Sequence, residues 1–174
     1  MLILTPEDVK FCFVKQSPSD ALMGIKYGNW CFYFEKFLNL DLNTVKIKYQ
    51  DWSEEAEKKG ELRAILEKDG GVYLCVDSGK LEPLTLSEAI VKIAENMKTS
   101  QELEKTFHHR SWRRSRKCFQ GKKAVDWMIK KLNISRLEAI KLGQKCLEQD
   151  LFAHVLDCNL FEDDEKEFYF FREK

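Results

Sequence analysis

CFQGKKAVDWMIKKLNISRLEAIKLGQKCLEQDLFAHVLDCNLFEDDEKEFYFF, residues 118–171, decides the fold of the C-terminal part of this chain. Residues 121–132 set Ala124, Val125, Trp127, Met128 and Ile129 at helical spacing, which predicts a helix with one buried face. Ser135 is a helix-capping residue, and Glu138 at the third helical position completes a capping box. The helix it opens would bury Ala139, Ile140, Leu142, Gly143, Cys146 and Leu147. Residues 151–156 and 167–171 are aromatic and β-prone and read as two strands. Asp157, Cys158 and Asn159, then the acidic turn Asp163-Asp164-Glu165, connect them. Helices followed by a terminal β-hairpin predict a winged-helix-like unit, with a short helix-compatible stretch before it at 101–107. Asp126 reads as a residue that satisfies local backbone donors. His154 reads as a packed strand residue, not a ligand or base.

Working back from this segment, residues 105–123 read KTFHHRSWRRSRKCFQGKK. The run holds eight Lys or Arg and no Asp or Glu, although the chain carries 29 basic and 29 acidic residues. Phe107, Trp112 and Phe119 are set into it. Such a run can grip nucleic acid, touch an anionic membrane or a partner, dock on an acidic domain of its own chain, or be a solvated linker. Duplex reading is disfavoured, because the helix that would enter a groove, near residues 135–149, mixes Glu138 and Glu148 with its bases.

Charge divides the chain into two blocks. Residues 1–99 have 13 basic and 16 acidic groups, net −3, and residues 100–174 have 16 and 13, net +3. A 44% hydrophobic content is ample for packed cores, and no apolar run nears the roughly 20 residues that cross a bilayer. The start, MLILTPEDVK, lacks a basic segment and a small-residue cleavage site, and reads as a native N-terminus. The six cysteines form no CxxC pair, and His108, His109 and His154 are not at zinc-ligand spacing with them. Free buried thiols in a reducing cytoplasm and no metal are expected.

In the first block, residues 9–14 read as a buried strand. Gln16-Ser17-Pro18-Ser19-Asp20 reads as a turn and cap, with a helix over residues 21–40 carrying Leu22, Ile25, Trp30, Phe34, Phe37 and Leu38. Residues 45–49 alternate as a strand, and residues 54–59 form a short helix closed by Gly60. Lys68-Asp69-Gly70-Gly71 marks a hairpin between strands at 64–67 and 72–76. Thr85 or Ser87 can cap a last helix that runs to about Met97.

Two family resemblances follow. The C-terminal segment resembles a DEP domain, the module named for Dishevelled and pleckstrin. Cys118-Phe119, Gly121, Val125-Asp126-Trp127, Ser135-Arg136, Glu138-Ala139, Leu142-Gly143-Gln144, His154-Val155, Phe161 and Tyr169-Phe170 match its pattern in order. Asp150 departs from it, taking the place of a helix-ending glycine. The resemblance implies that the basic run is a projecting β-arm, with Arg110, Trp112, Arg113, Arg114, Arg116, Lys117, Lys122 and Lys123 as binding residues. It also implies docking on a signalling partner or an anionic membrane surface.

The strand–helix–strand–helix–strand–strand–helix order of the first block, with Asp51-Trp52, Ile65-Leu66-Glu67, Asp69-Gly70 and Ser87-Glu88-Ala89-Ile90, resembles the thioredoxin-like N-terminal domain of a glutathione transferase. That resemblance implies a glutathione-like site at Ala64, Ser87 and Glu88, with Ser17 or Ser19 as the reactive group. Ala64 stands where the family has a cis-proline, and the transferase's helical domain has no room here, so the site is expected to be vestigial and no cofactor is expected. The expectation is an α+β protein with a thioredoxin-like domain at 1–99 and a DEP domain at 100–174. It would be a cytoplasmic, peripheral, non-catalytic adaptor. A glutathione-dependent thiol-transfer enzyme and a structural component of a cytoskeletal assembly are the alternatives.

Overall fold

The computed structural model describes residues 2–17, 21–68, 70–77, 79–103, 106–108, 116–156 and 158–172. The chain divides into two compact units, residues 1–89 with 132–134, and residues 90–131 with 135–174. The division falls inside a helix, between Ala89 and Ile90.

The first unit is a seven-stranded sheet in the order β1-β5-β6-β4-β3-β2-β7. Its strands are β1 (Leu2–Leu4), β2 (Lys10–Lys15), β3 (Leu22–Tyr27), β4 (Trp30–Leu38), β5 (Leu62–Lys68), β6 (Gly71–Asp77) and β7 (Glu82–Leu84). β1 pairs with β5 in parallel, and the other pairings are antiparallel. Helices α1 (Leu42–Lys48) and α2 (Gln50–Lys59) lie between β4 and β5, and α3 (Leu86–Thr99) follows β7.

This order replaces the expected thioredoxin-like one. The segment 21–40 is not a helix but the hairpin β3–β4, whose turn at Gly28-Asn29 gives Gly28 a φ of 57°. Aromatic residues crowd β4 and favour a pleated surface. The hairpin also needs Gly24, which lowers helix propensity. A Cβ on Gly24 would lie 1.9 Å from the Phe32 carbonyl oxygen.

Residues 45–49, expected as a strand, lie in and just after α1. Asp41 caps that helix, its carboxylate accepting from the Thr44 amide at 2.9 Å and the Thr44 hydroxyl at 2.5 Å. These bonds hold the Asp41 pKa below the usual carboxylate range. Two residues along a helix turn the side chain by about 200°. Val45 is therefore buried while Ile47 is 81% exposed. Val45 joins Leu38, Ile65, Val72 and Leu74 in one core cluster, with Leu40, Leu42, Tyr49 and Trp52 packed at its margin.

Trp52 locks α2 onto the sheet. Its indole Nε1 donates to Glu35 at 2.9 Å, and the Arg63 guanidinium carbon lies 4.5 Å from its ring. Arg63, only 7% exposed, also donates to the Trp52 carbonyl and reaches Glu61 at 3.1 Å. A buried cation needs this combination of stacking and paired acceptors. Trp52 thus serves packing.

The hairpin at Lys68-Gly71 forms as read, with Lys68 opposite Gly71 and Gly70 at φ 74°. Thr85 is the cap of α3. Its amide donates to the Glu88 carboxylate at 2.9 Å, and its hydroxyl accepts from the Glu88 amide at 3.3 Å, a reciprocal capping box.

The second unit holds β8 (Thr106–His108), β9 (Arg116–Gln120), α4 (Gly121–Leu132), α5 (Arg136–Glu148), β10 (Phe152–His154) and β11 (Phe168–Phe171). Its sheet has the order β10-β11-β9-β8. The helices and the β10–β11 pair follow the sequence reading. Where a short helix is expected at 101–107, residues 101–103 are a bend and 106–108 form β8. Ser135 caps α5, its hydroxyl accepting from the Glu138 amide.

At the end of α5, Asp150 keeps the conformation of the glycine it replaces, with φ 56°. The Asp150 amide donates to Leu147 and the Leu151 amide to Cys146, so the turn closes in the manner of a glycine cap. Asp150 also pairs with Arg172 at 2.9 Å. Asp150→Gly should leave stability within about 0.5 kcal/mol of the parent, since relief of strain is offset by a freer unfolded chain. Asp150→Val should lose about 1–2 kcal/mol, because a branched side chain resists positive φ. Urea denaturation of the three proteins measures both.

Candidate interaction site

The site is built on the β8–β9 hairpin and the start of α4. β8 and β9 pair antiparallel, Thr106 opposite Cys118, Phe107 opposite Lys117 and His108 opposite Arg116. Of the basic run, Arg116 and Lys117 lie on β9, and Lys122 and Lys123 lie in the first turn of α4. Arg110, Trp112, Arg113 and Arg114 fall outside the described residues, as does Ser19. Arg116 is placed by its backbone in β9, and Lys117 is exposed beside it. Cys118 and Phe119 turn into the core and root the hairpin.

Beneath the hairpin, an aromatic cluster fixes where β9 sits. Phe119 packs against Phe152, Tyr169 and Phe171 with ring centroids 4.7–6.0 Å apart. Phe161 joins from the β10–β11 connection, 5.0 Å from Tyr169. Gly121 brings α4 close to that connection, where a Cβ would lie 2.0 Å from the Glu162 carbonyl oxygen.

Not all of the basic residues serve the hairpin. Lys122, in the first turn of α4, pairs with Glu165 at 2.5 Å, and its amide donates to the Asp164 carbonyl. The contact raises the Lys122 pKa and lowers that of Glu165. A cation at a helix N-terminus is unfavourable against the helix dipole, and the acidic turn offsets it. Arg136 bridges Asp126 and Asp163, each at 2.5 Å. Asp126 is therefore an ion-pair partner of Arg136.

His154, 3% exposed, is a structural hub. Its Nδ1 accepts from the amides of Leu156 at 3.1 Å and Cys158 at 3.3 Å. An acceptor at Nδ1 leaves the ring proton on Nε2, 2.5 Å from Glu167. Gln144 adds to this network, accepting from the Phe161 amide and donating to the Asn159 carbonyl. These polar side chains pin the β10–β11 connection. The sequence showed them only as matches to a pattern, because their partners lie up to 17 residues away.

The residues of the expected glutathione-like site are distributed over β5, α3 and the end of β2. Ala64 is fully buried in the middle of β5, paired with Leu2 on one side and Cys75 on the other. Its backbone is thus committed to the sheet. Glu88 is committed to the capping box, Ser87 lies in the first turn of α3, and Ser17 follows the end of β2. No cis peptide bond occurs among the described residues.

Of the six thiols, Cys75, Cys118 and Cys146 are buried, as expected. Cys12 and Cys31 are partly buried and Cys158 is exposed. Burial pushes the Cys146 thiol up to about 12 and the Cys12 thiol up to about 11, which suppresses thiolate chemistry at neutral pH. Among the described residues, no three His, Cys, Asp or Glu side chains converge to hold a metal, and no helix is long and apolar enough to cross a membrane.

Residues 100–171 match the family model described as "Domain found in Dishevelled, Egl-10, and Pleckstrin (DEP)". This segment is a DEP domain. Two curated proteins share sequence with the chain. The vacuolar membrane-associated protein IML1 of Saccharomyces cerevisiae is 41% identical over 54 residues, 30% of this chain and 3% of that protein. The protein of the same name in Candida glabrata matches with the same identity and coverage. The chain thus corresponds to about 3% of the length of these relatives.

Proposed function

We propose that this protein is a non-catalytic adaptor whose DEP domain docks on an anionic membrane surface through the β8–β9 hairpin. The observation that carries the reading is the acid-free basic run of the sequence, Arg110 to Lys117, whose end at Arg116 and Lys117 lies on β9, paired with β8. Clustered Lys and Arg beside an anionic leaflet contribute about 1 kcal/mol each. Trp112 supplies an interfacial aromatic. The two relatives are vacuolar membrane-associated proteins, which supports a peripheral membrane role for this module. A signalling protein with an acidic face would use the same residues and is the second outcome of the test.

Vesicles containing phosphatidylserine should retain the full chain at low salt and release it as the Debye length falls to about 8 Å. Replacing Arg113, Arg114 and Arg116 with Glu should abolish retention and shift stability by less than about 1 kcal/mol, the range for exposed charges. Retention unchanged in this variant would overturn the membrane reading. Capture of a protein partner by the parent but not the variant, with no vesicle binding, would replace it with the partner reading.

The geometry gives no support to thiol transfer. With the Ala64 backbone paired on both sides, it cannot present free groups to a tripeptide. Titration calorimetry with millimolar glutathione should show no saturable heat. Saturable binding that Ser17→Ala or Ser87→Ala weakens would restore the enzyme.

A further inference from the structure

The β3–β4 hairpin of the first unit ends in two exposed aromatic residues that its core does not use. Tyr27 is 37% exposed and Trp30 is 49% exposed, and they face each other in direct register across the turn. Phe11, 37% exposed, lies on the same face, opposite Ile25. Lys68 reaches that face with its ammonium 4.3 Å from the Phe11 ring. Successive residues of a strand point to opposite faces, so Lys26, next to Tyr27, points the other way. There it stands directly opposite Lys10, and both are exposed. Among the described residues neither lysine is in an ion pair. Like charges directly opposite on a sheet destabilise it, so this pairing persists at a cost that a bound anion would relieve.

We propose that this hairpin tip is a second membrane contact, entering the headgroup layer of an anionic bilayer end-on. Tyr and Trp partition to the membrane–water interface, where an amphipathic ring meets both apolar and wet surroundings. Lys10 and Lys26 then reach lipid phosphates from the other side of the same tip. This two-sided arrangement favours a bilayer over single-stranded nucleic acid. A nucleic-acid platform sets its cations along the face on which bases stack, whereas here the paired Lys10 and Lys26 lie behind the aromatics, and Lys68, which shares the aromatic face, sits against Phe11. A planar surface meeting a hairpin end touches both sides at once. The proposal shares its ligand with the DEP hairpin reading but uses different residues, and the two are separable.

The test uses the full chain with phosphatidylserine vesicles, phosphatidylcholine vesicles and poly-uridine as probes. Tyr27→Ala with Trp30→Ala should lower partition onto phosphatidylserine vesicles by about tenfold while the DEP run is intact. Bromine-labelled lipid should quench the parent, and Trp30→Phe should remove part of that quenching, with Trp112→Phe removing a separate part. The Glu variant at 113, 114 and 116 should keep the Trp30 share. Lys26→Glu guards against a merely structural effect. It gives Lys10 an opposite charge across the strand and so should hold or raise the melting temperature, yet weaken vesicle retention. Unchanged retention in both hairpin variants overturns the proposal, even where the DEP variant abolishes binding. Loss of poly-uridine binding in these variants, with vesicle partition unaffected, also overturns it.

Discussion

Gly121→Ala is expected to destabilise the second unit by at least about 3 kcal/mol. The new methyl would meet the Glu162 carbonyl oxygen at 2.0 Å, far inside contact distance. That oxygen belongs to backbone, and the backbone cannot step aside cheaply. The Glu162 amide donates to the Tyr169 hydroxyl at 2.8 Å, and the Tyr169 hydroxyl donates to the Leu160 carbonyl at 3.0 Å. Gln144 holds Phe161 between them, and the Gly121 amide itself donates to the Glu167 carbonyl at 2.9 Å. Overpacking ordinarily costs about 1–3 kcal/mol, and losing one of these buried hydrogen bonds adds about 1–3 kcal/mol. For a unit of this size each kcal/mol moves the midpoint by roughly 4–8 °C. A thermal melt should therefore shift by more than about 10 °C. A shift of a degree or two would mean that the β10–β11 connection yields freely.

The second large effect is at Tyr169, which is fully buried and within 6.0 Å, centroid to centroid, of Phe119, Phe152, Phe161 and His154. Tyr169→Ala should cost more than about 4 kcal/mol, because it empties an aromatic site and orphans two backbone groups. Tyr169→Phe keeps the ring and isolates the hydroxyl, at about 1–3 kcal/mol. Chemical denaturation of the pair separates the two contributions. The hydroxyl also has a pH signature. Burial pushes its pKa up to about 12, against about 10 in an unfolded chain. Between these values the folded state holds a proton that the unfolded state has released, so stability falls as pH rises through the window. The loss should be absent from Tyr169→Phe.

The DEP segment was legible because its signals are local. Helix period, the Ser135 cap and the aromatic β-run at 167–171 each act within a few residues, and together they leave one arrangement. The hairpin at Lys68-Gly71 and the turn at Gly60 were legible for the same reason, since glycine at positive φ is a property of the chain itself. The segment 21–40 was not. Its apolar residues fit a period of 3.6 as well as one of 2, and only pairing with β6 on one side and β2 on the other chose the strand. The five-residue alternation at 45–49 was equally ambiguous, and the Asp41 cap decided it for a helix.

Family pattern matching in the first block carried over residues whose surroundings differ. Ala64 lies between two paired strands, and Glu88 is spent on a cap. Sequence alone set the net charges of the two blocks, the acid-free run and the positions of the caps and turns. Tertiary structure alone decided that Lys122 answers Glu165, that Arg136 bridges Asp126 and Asp163, and that Lys10 faces Lys26 behind an exposed Tyr27–Trp30 pair. Pairings of this kind join residues 10 to 43 positions apart, or set the face on which a side chain emerges. Strand register and helix packing fix them, and neither can be read from local propensity.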